Sequence, residues 1–191
     1  MDAMKTRIKT GCRKLDLGCG RNKRPDAVGV DVIWNEQIDV VHDLNSYPYP
    51  FADREFDDIL MDNSLEHLDD IVKTLEELWR ICRPGAVVTI KVPYFRSHYA
   101  VDPTHKHYFA SHSFHYFDPR HDFHRRYKYS NTAFFHVEEV VFDKDYGYTA
   151  LQRLPMSVVR WIANQYPMRY EEYLAHLFPM HCIDFRLRAV K

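Results

Sequence analysis

A glycine turn between two short apolar segments limits the folds that this chain can adopt. The first segment and its turn read Lys14-Leu-Asp-Leu-Gly-Cys-Gly20, and the second, Val28-Gly-Val-Asp31, ends in a carboxylate. In open parallel α/β sheets such a turn lets backbone N–H groups approach a nucleotide-like ligand, and the acidic residue accepts hydrogen bonds from ribose hydroxyls. The pattern predicts a mostly parallel, doubly wound sheet with a cofactor at its carboxyl edge.

Alternating strand and helix patterns extend this prediction along the chain. The predicted strands span about 14–17, 27–32, 39–42, 58–61, 86–92, 137–143 and 183–190, and the predicted helices span about 69–82, 156–164 and 170–178. Asp69 or Asp70 can cap the first of these helices, and Pro84-Gly85 can end it. Between Gly20 and Val28 there is too little chain for an ordinary crossover helix, so that helix should be missing or reduced to a turn.

Size and charge exclude several classes of protein. At 191 residues and a net charge of -1, the chain is expected to form a single domain over residues 1–191 with no general attraction for nucleic acid. No apolar run approaches the roughly 18 residues of a membrane span. The first residues, Met1-Asp-Ala-Met-Lys-Thr-Arg7, lack the apolar core of a signal peptide, so a cytoplasmic location is expected.

Further motifs follow the glycine turn in a fixed order. They are Pro50-Phe-Ala-Asp-Arg-Glu-Phe-Asp57, Ser64-Leu-Glu-His-Leu68 and Arg83-Pro-Gly85. With the turn, this succession resembles the class I S-adenosylmethionine-dependent methyltransferases, in particular a small group with a shortened glycine loop, over about residues 13–95. The resemblance implies a Rossmann-like methyltransferase fold with an antiparallel C-terminal strand. It also implies S-adenosyl-L-methionine as cofactor and direct displacement at the sulfonium methyl carbon.

The resemblance further implies a set of cofactor contacts. Gly18 and Gly20 would approach the methionine and ribose parts, and Asp31 would hold the ribose diol. The other expected positions are Val32 or Ile33 against adenine, Asp43 and Leu44 at the adenine edge, Asn63 and Ser64 near the sulfonium, and Asp16, which should orient the glycine loop more than touch the cofactor. For the methionine carboxylate the candidates are Arg21, Lys23 and Arg24, unless they form a solvated basic loop.

Residues 94–135, directly after the fifth strand, form an insert rich in histidine and aromatic residues. The run Asp102-Pro-Thr-His105 within it resembles a segment of methyltransferases associated with sugar or cell-envelope pathways, and the acceptor is expected to be a small molecule. Because ligands bind beyond the carboxyl ends of parallel strands, the insert is predicted to act as a lid or substrate wall. Most of its aromatic side chains should nevertheless form a satellite core.

The insert also supplies the catalytic candidates, which are His105, His98 and Tyr94. If the acceptor is a hydroxyl, one histidine would act as a general base with a carboxylate holding its tautomer. His105 is the first choice because Asp102-Pro103 fixes a turn just before it, and His98 is the second. The alternative is that both histidines only bond loop backbone. The insert has no Cys and no clear pair of histidines four residues apart, so no metal is predicted.

Two other functions stay open at this point. A non-catalytic, methyltransferase-like subunit would keep the fold and lose the cofactor. A nicotinamide-dependent oxidoreductase would need a third glycine and an acidic residue about 20 positions after the turn. Here the third glycine is absent and Asp31 follows Gly20 by 11 positions, which disfavours the oxidoreductase. The acceptor and the oligomeric state are not specified by the sequence.

Overall fold

The structure, a computed structural model, describes residues 13–143 and 153–191, and the described residues contain one seven-stranded sheet. Its strands are β1 (Lys14–Leu17), β2 (Val28–Asp31), β3 (Val40–Val41), β4 (Phe56–Asp62), β5 (Cys82–Pro93), β6 (Phe134–Phe142) and β7 (Cys182–Val190). They lie in the order β3-β2-β1-β4-β5-β7-β6. Strands β1 to β5 are parallel, whereas β7 pairs antiparallel with both β5 and β6. The predicted α/β class and the antiparallel C-terminal strand are confirmed.

Four α-helices lie within the described residues. They are α1 (Ile71–Ile81), α2 (Asp122–Tyr127), α3 (Arg153–Gln165) and α4 (Pro167–Tyr173), and short 3₁₀ helices cover Leu65–His67, His98–Val101 and His115–Phe117. Residues 18–27, between β1 and β2, form turns and no helix, as the short spacing predicted. Helix α2 was not predicted. No helix of the described chain is both long and apolar enough to span a membrane.

Helix α1 forms because its apolar residues fall on one face. Leu75, Leu78 and Ile81 are fully buried against the sheet, and the Asp70 side chain caps the first turn by accepting from the backbone N–H of Lys73. The helix ends at Ile81, within one residue of the predicted end, but Pro84-Gly85 does not stop it, because β5 begins at once with Cys82 and contains both residues. The chain reaches Pro84 already extended, and the Cys82 backbone N–H caps the helix by bonding the Leu78 carbonyl.

Strands β6 and β7 form an antiparallel hairpin at one edge of the sheet. Ile183, Phe185, Leu187 and Ala189 alternate along β7 and are buried, as their spacing predicted. Strand β6 begins at Phe134, earlier than predicted. Antiparallel pairing with β7 extends to Phe134, which lies opposite Val190, so the hairpin uses chain that the pattern assigned to the insert.

Much of the insert packs against this hairpin and the neighbouring helices. The Phe114 ring lies 4.6 Å from the Phe185 ring. Ser111 donates a 2.8 Å hydrogen bond to Glu171, and the Ser130 hydroxyl donates to Glu76 at 2.7 Å. The expected satellite core is not separate, because the buried rings of Phe109, Phe114 and Phe117 belong to the main core of the sheet. Other aromatic side chains of the insert, such as Tyr108 and Tyr129, are exposed.

Candidate functional site

The carboxyl ends of β1, β2, β3 and β4 border a cleft of about 280 Å³. Its walls are formed by Gly18, Asp31, Val32, His42, Asp43, Leu44, Asn45, Asn63, Ser64, His67 and Leu68. Most of the predicted cofactor-binding residues are thus brought together from separate parts of the chain. The exceptions are Asp16, Gly20 and Arg21, which do not line the cleft.

Two glycines shape the loop at the base of the cleft in different ways. Gly18 has φ +72°, and a Cβ atom there would lie 2.4 Å from the Cβ of Ser64, so only glycine fits. Ser64 is itself fixed, because its hydroxyl donates to the Leu17 carbonyl at 3.0 Å. Gly20 has φ +52°, but no described atom lies within 4 Å of its ideal Cβ position. The loop is tight at Gly18 and open at Gly20.

Asp31 connects the glycine loop to the end of β2. One carboxylate oxygen accepts from the Gly20 N–H at 2.9 Å, and the other accepts from the Ile33 N–H at 3.0 Å. A carboxylate has about four acceptor positions, so two remain for ligand hydroxyls. The carboxylate can therefore hold the loop and bind a diol at the same time. Sequence reasoning predicted the second role and missed the first.

Two basic side chains of the loop after Gly20 already form ion pairs within the protein. Lys23 pairs with Asp39 at 2.7 Å, and the Arg24 guanidinium pairs with Asp58 at 3.0 Å. The buried Asp16 carboxylate accepts from the Arg24 backbone N–H at 2.7 Å, consistent with the expected role of Asp16 in orienting this loop. Of the three predicted basic partners for a ligand carboxylate, Arg21 is exposed and forms no ion pair among the described residues, although it does not line the cleft.

Several residues of the cleft were not predicted as site residues: His42, Asn45, His67 and Leu68. His42 follows β3, where its Nε2 lies 2.8 Å from the Ser46 carbonyl. Asn45 holds Asp69 by accepting from its backbone N–H at 2.8 Å. His67 and Leu68 belong to the quoted Ser64–Leu68 motif, in which only Ser64 was named as a site residue. Their position directly after β4 was the signal that could have indicated a site.

The three catalytic candidates occupy very different surroundings. Tyr94 is fully buried, with its ring 5.1 Å from Phe142, and its burial does not fit contact with a substrate. His98 is exposed and packs against Tyr99, and neither lines the cleft. His105 alone approaches the site, because its ring lies 4.7 Å from that of the cleft residue His67. A catalytic role for His105 stays a prediction.

The carboxylate next to His105 is Glu66 and not Asp102. His105 Nε2 lies 4.0 Å from Glu66 Oε1, whereas Asp102 accepts hydrogen bonds from the backbone N–H and hydroxyl of Thr104. Asp102 forms the predicted turn before His105, whose backbone N–H donates to the Asp102 carbonyl at 3.0 Å. Glu66 is only 1% exposed, and this burial raises the pKa of its carboxyl to about 7.

The insert contacts the site through a short segment only. The backbone N–H groups of Lys106 and His107 donate to the Glu66 carbonyl at 2.8 and 3.3 Å, and His107 Nε2 lies 2.9 Å from the Leu68 carbonyl. None of the insert residues lines the described cleft. The expectation that residues 94–135 cover the cleft is not met by this arrangement, because much of the insert is held on the hairpin by Phe114 and its neighbours.

Comparison with known proteins agrees with this geometry. Residues 15–90 match the family model of a methyltransferase domain. No curated protein sequence matches the chain. A similar solved structure is an S-adenosylmethionine-dependent methyltransferase from Archaeoglobus fulgidus, at 20% identity and TM-score 0.58, with 93% of this chain and 86% of that chain covered.

Two further solved structures, of a cyclase and of a methyltransferase, are similar to this chain. The [4+2]-cyclase SpnF is 19% identical, with 94% of this chain and 75% of that chain covered and a TM-score of 0.55. Phosphoethanolamine N-methyltransferase 2 from Haemonchus contortus, in complex with phosphomonomethylethanolamine and S-adenosylhomocysteine, is 15% identical, with 96% and 50% covered and a TM-score of 0.52.

The fold and the family match agree with each other. The match covers residues 15–90, which contain β1 except its first residue, β2 to β4 and most of β5, and the whole described sheet has the methyltransferase strand order. The described chain has the fold of the class I S-adenosylmethionine-dependent methyltransferases, and the resemblance found in its motifs is confirmed by the match to a methyltransferase domain.

Proposed function

We propose that this protein binds S-adenosylmethionine in the cleft and transfers its methyl group to a small-molecule acceptor, with sugar or cell-envelope precursors as the first class to test. The observation that carries the proposal is the Gly18–Ser64 contact beside the Asp31 carboxylate. Because Gly18 has no side chain, only backbone lies at the base of the cleft, and the Asp31 carboxylate offers acceptors for a diol. A backbone surface beside diol acceptors fits a nucleoside with an attached amino acid.

Different residues are proposed to contact the ribose, the adenine and the methionine carboxylate of the cofactor. Asp31 accepts hydrogen bonds from ribose hydroxyls, and the apolar side chains of Val32, Leu44 and Leu68 contact adenine. Val32 is 60% exposed in the described chain, so a bound ring would remove apolar surface from water. Arg21 pairs with the methionine carboxylate. These contacts would hold the cofactor with its reactive end toward Asn63 and Ser64, which follow β4.

The chemistry requires alignment more than activation. Bound S-adenosylmethionine supplies a methyl carbon made electrophilic by the positive sulfur. The chain then has to hold an acceptor atom in line with the methyl–sulfur bond, and well-oriented reactants gain about 7–11 kcal/mol from proximity. A group that removes a proton is needed only for an acceptor such as a hydroxyl.

Replacement of Asp31 tests the proposed cofactor site. Asp31→Ala should weaken S-adenosylmethionine about ten- to a hundredfold, because a lost charge-assisted hydrogen bond costs roughly 1.5–3 kcal/mol. Calorimetric titration measures this. Glu36→Ala, which removes an exposed negative charge close in sequence, should bind like the wild type.

Two results would count against the proposal. Unchanged affinity in a folded Asp31→Ala protein would remove Asp31 from the site, and no binding by the wild type would remove the cofactor. Titration with NAD(P) tests the oxidoreductase alternative in the same experiment. Binding without methyl transfer across a screen of acceptor classes would favour the non-catalytic subunit.

A further inference from the structure

The most unusual polar group in the described chain is the carboxylate of Glu66. It lies on the short helix Leu65–His67, directly after β4, and is 1% exposed. Neither of its oxygens has a hydrogen-bond partner among the described residues. Buried carboxylates are normally paired, hydrogen-bonded or bound to a metal, because desolvating an isolated charge is costly. The Glu66 side chain therefore lacks a partner that its surroundings require.

Two imidazoles lie beside this carboxylate. Glu66, His67 and His105, which we call the rim cluster, each offer one ligand atom, and these atoms all lie within 4.8 Å of one another. Ligands bound about 2.0–2.2 Å from a divalent ion are separated by roughly 3.0–3.4 Å when the geometry is octahedral or tetrahedral. Side-chain rotations that move each atom by about 1 Å would bring the three to that spacing.

The surrounding hydrogen bonds hold the cluster in place. His67 Nδ1 lies 3.1 Å from the Thr104 hydroxyl and 3.3 Å from its carbonyl. The carbonyl can only accept, so a proton on Nδ1 leaves His67 Nε2 unprotonated. This is the arrangement that fixes the tautomer of metal-binding histidines. The backbone bonds from Lys106 and His107 to the Glu66 carbonyl fix the segment that carries His105.

We propose that Glu66, His67 and His105 bind a divalent first-row transition-metal ion at the rim of the cleft. Two imidazoles and one carboxylate are a ligand set suited to zinc, iron, cobalt and manganese. Three protein ligands leave at least one coordination position open. Because His67 also lines the cleft, the ion lies beside the proposed cofactor site.

The site would also specify the acceptor, a step that rests on the proposed methyl transfer. A hydroxyl oxygen in the open position is acidified by the ion and gives its proton to solvent. The oxygen then forms a bond to the methyl carbon as the carbon–sulfur bond breaks, and the sulfur keeps that electron pair. Oxygen-rich small molecules able to bind the ion are thus the acceptors to test first.

The test is a titration of the full chain with metal alone. The protein is stripped with chelator, exchanged into chelator-free buffer and titrated with Co²⁺, followed by visible absorption, and with Zn²⁺, followed by calorimetry. One ion should bind per chain. Glu66→Gln, His67→Gln and His105→Gln should each weaken binding at least a hundredfold, because changes outside the ligand set already cost about 10- to 100-fold.

Two control variants separate this site from adventitious binding. His98→Gln removes an exposed histidine of the same insert, and His115→Gln removes a histidine outside the cluster, so both should retain wild-type affinity. Failure of the folded wild type to bind either metal at millimolar concentration would overturn the proposal. So would equal affinity in the rim-cluster variants. Neither titration contains S-adenosylmethionine, so loss of the metal site and loss of the cofactor site are distinguished.

Discussion

Histidines cluster twice in this molecule, and the two clusters differ in their relation to a carboxylate. In the rim cluster, His67 and His105 adjoin a buried Glu66 that has no described hydrogen-bond partner. In the second cluster, which we call the histidine trio, the rings of His112, His115 and His121 lie 4.5–6.0 Å apart.

The carboxylates near the trio are already engaged by other groups, and Glu171 accepts from the Ser111 hydroxyl at 2.8 Å. Asp118 accepts from the Val137 N–H at 2.9 Å and forms an ion pair with Arg120 at 2.6 Å. The trio's own nitrogens are partly used as well, since His121 Nδ1 accepts from the Phe123 N–H at 3.2 Å. Burial lowers the pKa of His115 to about 4, with further lowering by the neighbouring histidines.

The comparison shows that proximity of imidazoles does not make a metal or catalytic site. The trio packs against Phe123, and burial lowers the pKa of His112 and of His115. The rim cluster instead combines two imidazoles with a buried carboxyl group that has no hydrogen-bond partner among the described residues, and it lies where a parallel sheet binds its ligands. A buried carboxyl group without a described partner is the feature that indicates a function.

The largest expected difference between the clusters is in turnover. With an acceptor found by screening and with saturating cofactor and metal, His105→Gln should lower the rate about 10²- to 10⁴-fold, the range for losing a group that promotes proton removal. His115→Gln should retain a rate within about threefold of the wild type, since its ring does not line the cleft. A near-normal rate in His105→Gln would mean that alignment alone supports transfer.

A smaller effect is expected from the groups that orient each cluster. Thr104→Val removes the hydroxyl beside His67 Nδ1 but keeps the carbonyl, so Co²⁺ affinity should fall about tenfold, the low end for such partners. Ser111→Ala removes the hydroxyl 3.0 Å from His112 Nδ1 and should leave Co²⁺ affinity unchanged. Equal affinities in the two variants would separate Thr104 from the proposed site.

The cofactor half of the fold was predictable because its signals are local. The strand patterns placed β1 correctly and β2 to within a residue at each end, and the short spacing between Gly20 and Val28 predicted the missing helix. The cleft residues follow strand ends, where parallel topology brings them together whatever the packing elsewhere. Gly18, Asp31 and Ser64 could be named for this reason.

The insert and the rim cluster were harder to predict because they depend on contacts between distant parts of the chain. The contact between Phe114 and Phe185, which draws the insert onto the hairpin, joins residues with no shared motif. Glu66 and His105 belong to two quoted motifs, but only the structure shows that they meet. Burial of Glu66 without a hydrogen bond has no signature in the sequence.

The smallest expected effect is the contribution of the trio to the unfolding free energy of the protein at acidic pH. The ordinary pKa of histidine is 6.5, whereas that of His115 is about 4 in the folded protein, where it faces His112, His121 and Asp118. Below pH 6.5 the unfolded chain binds a proton that the folded chain does not. The His115 contribution to stability is therefore complete above pH 6.5 and is lost as the pH falls toward 4.

Urea unfolding of the wild type and His115→Gln across this range measures that contribution. The difference in unfolding free energy between the two proteins should change with a slope approaching about 1.4 kcal/mol per pH unit, the value for one proton, between pH 6 and 4.5. Phe123→Leu serves as the control, because it loosens the packing against His112 and His121 without a titrating group and should lower stability equally at each pH. If the unfolding free energies of His115→Gln and the wild type changed in parallel with pH, the trio would hold a proton in the folded protein. The contrast between the two clusters would then depend on Glu66 alone.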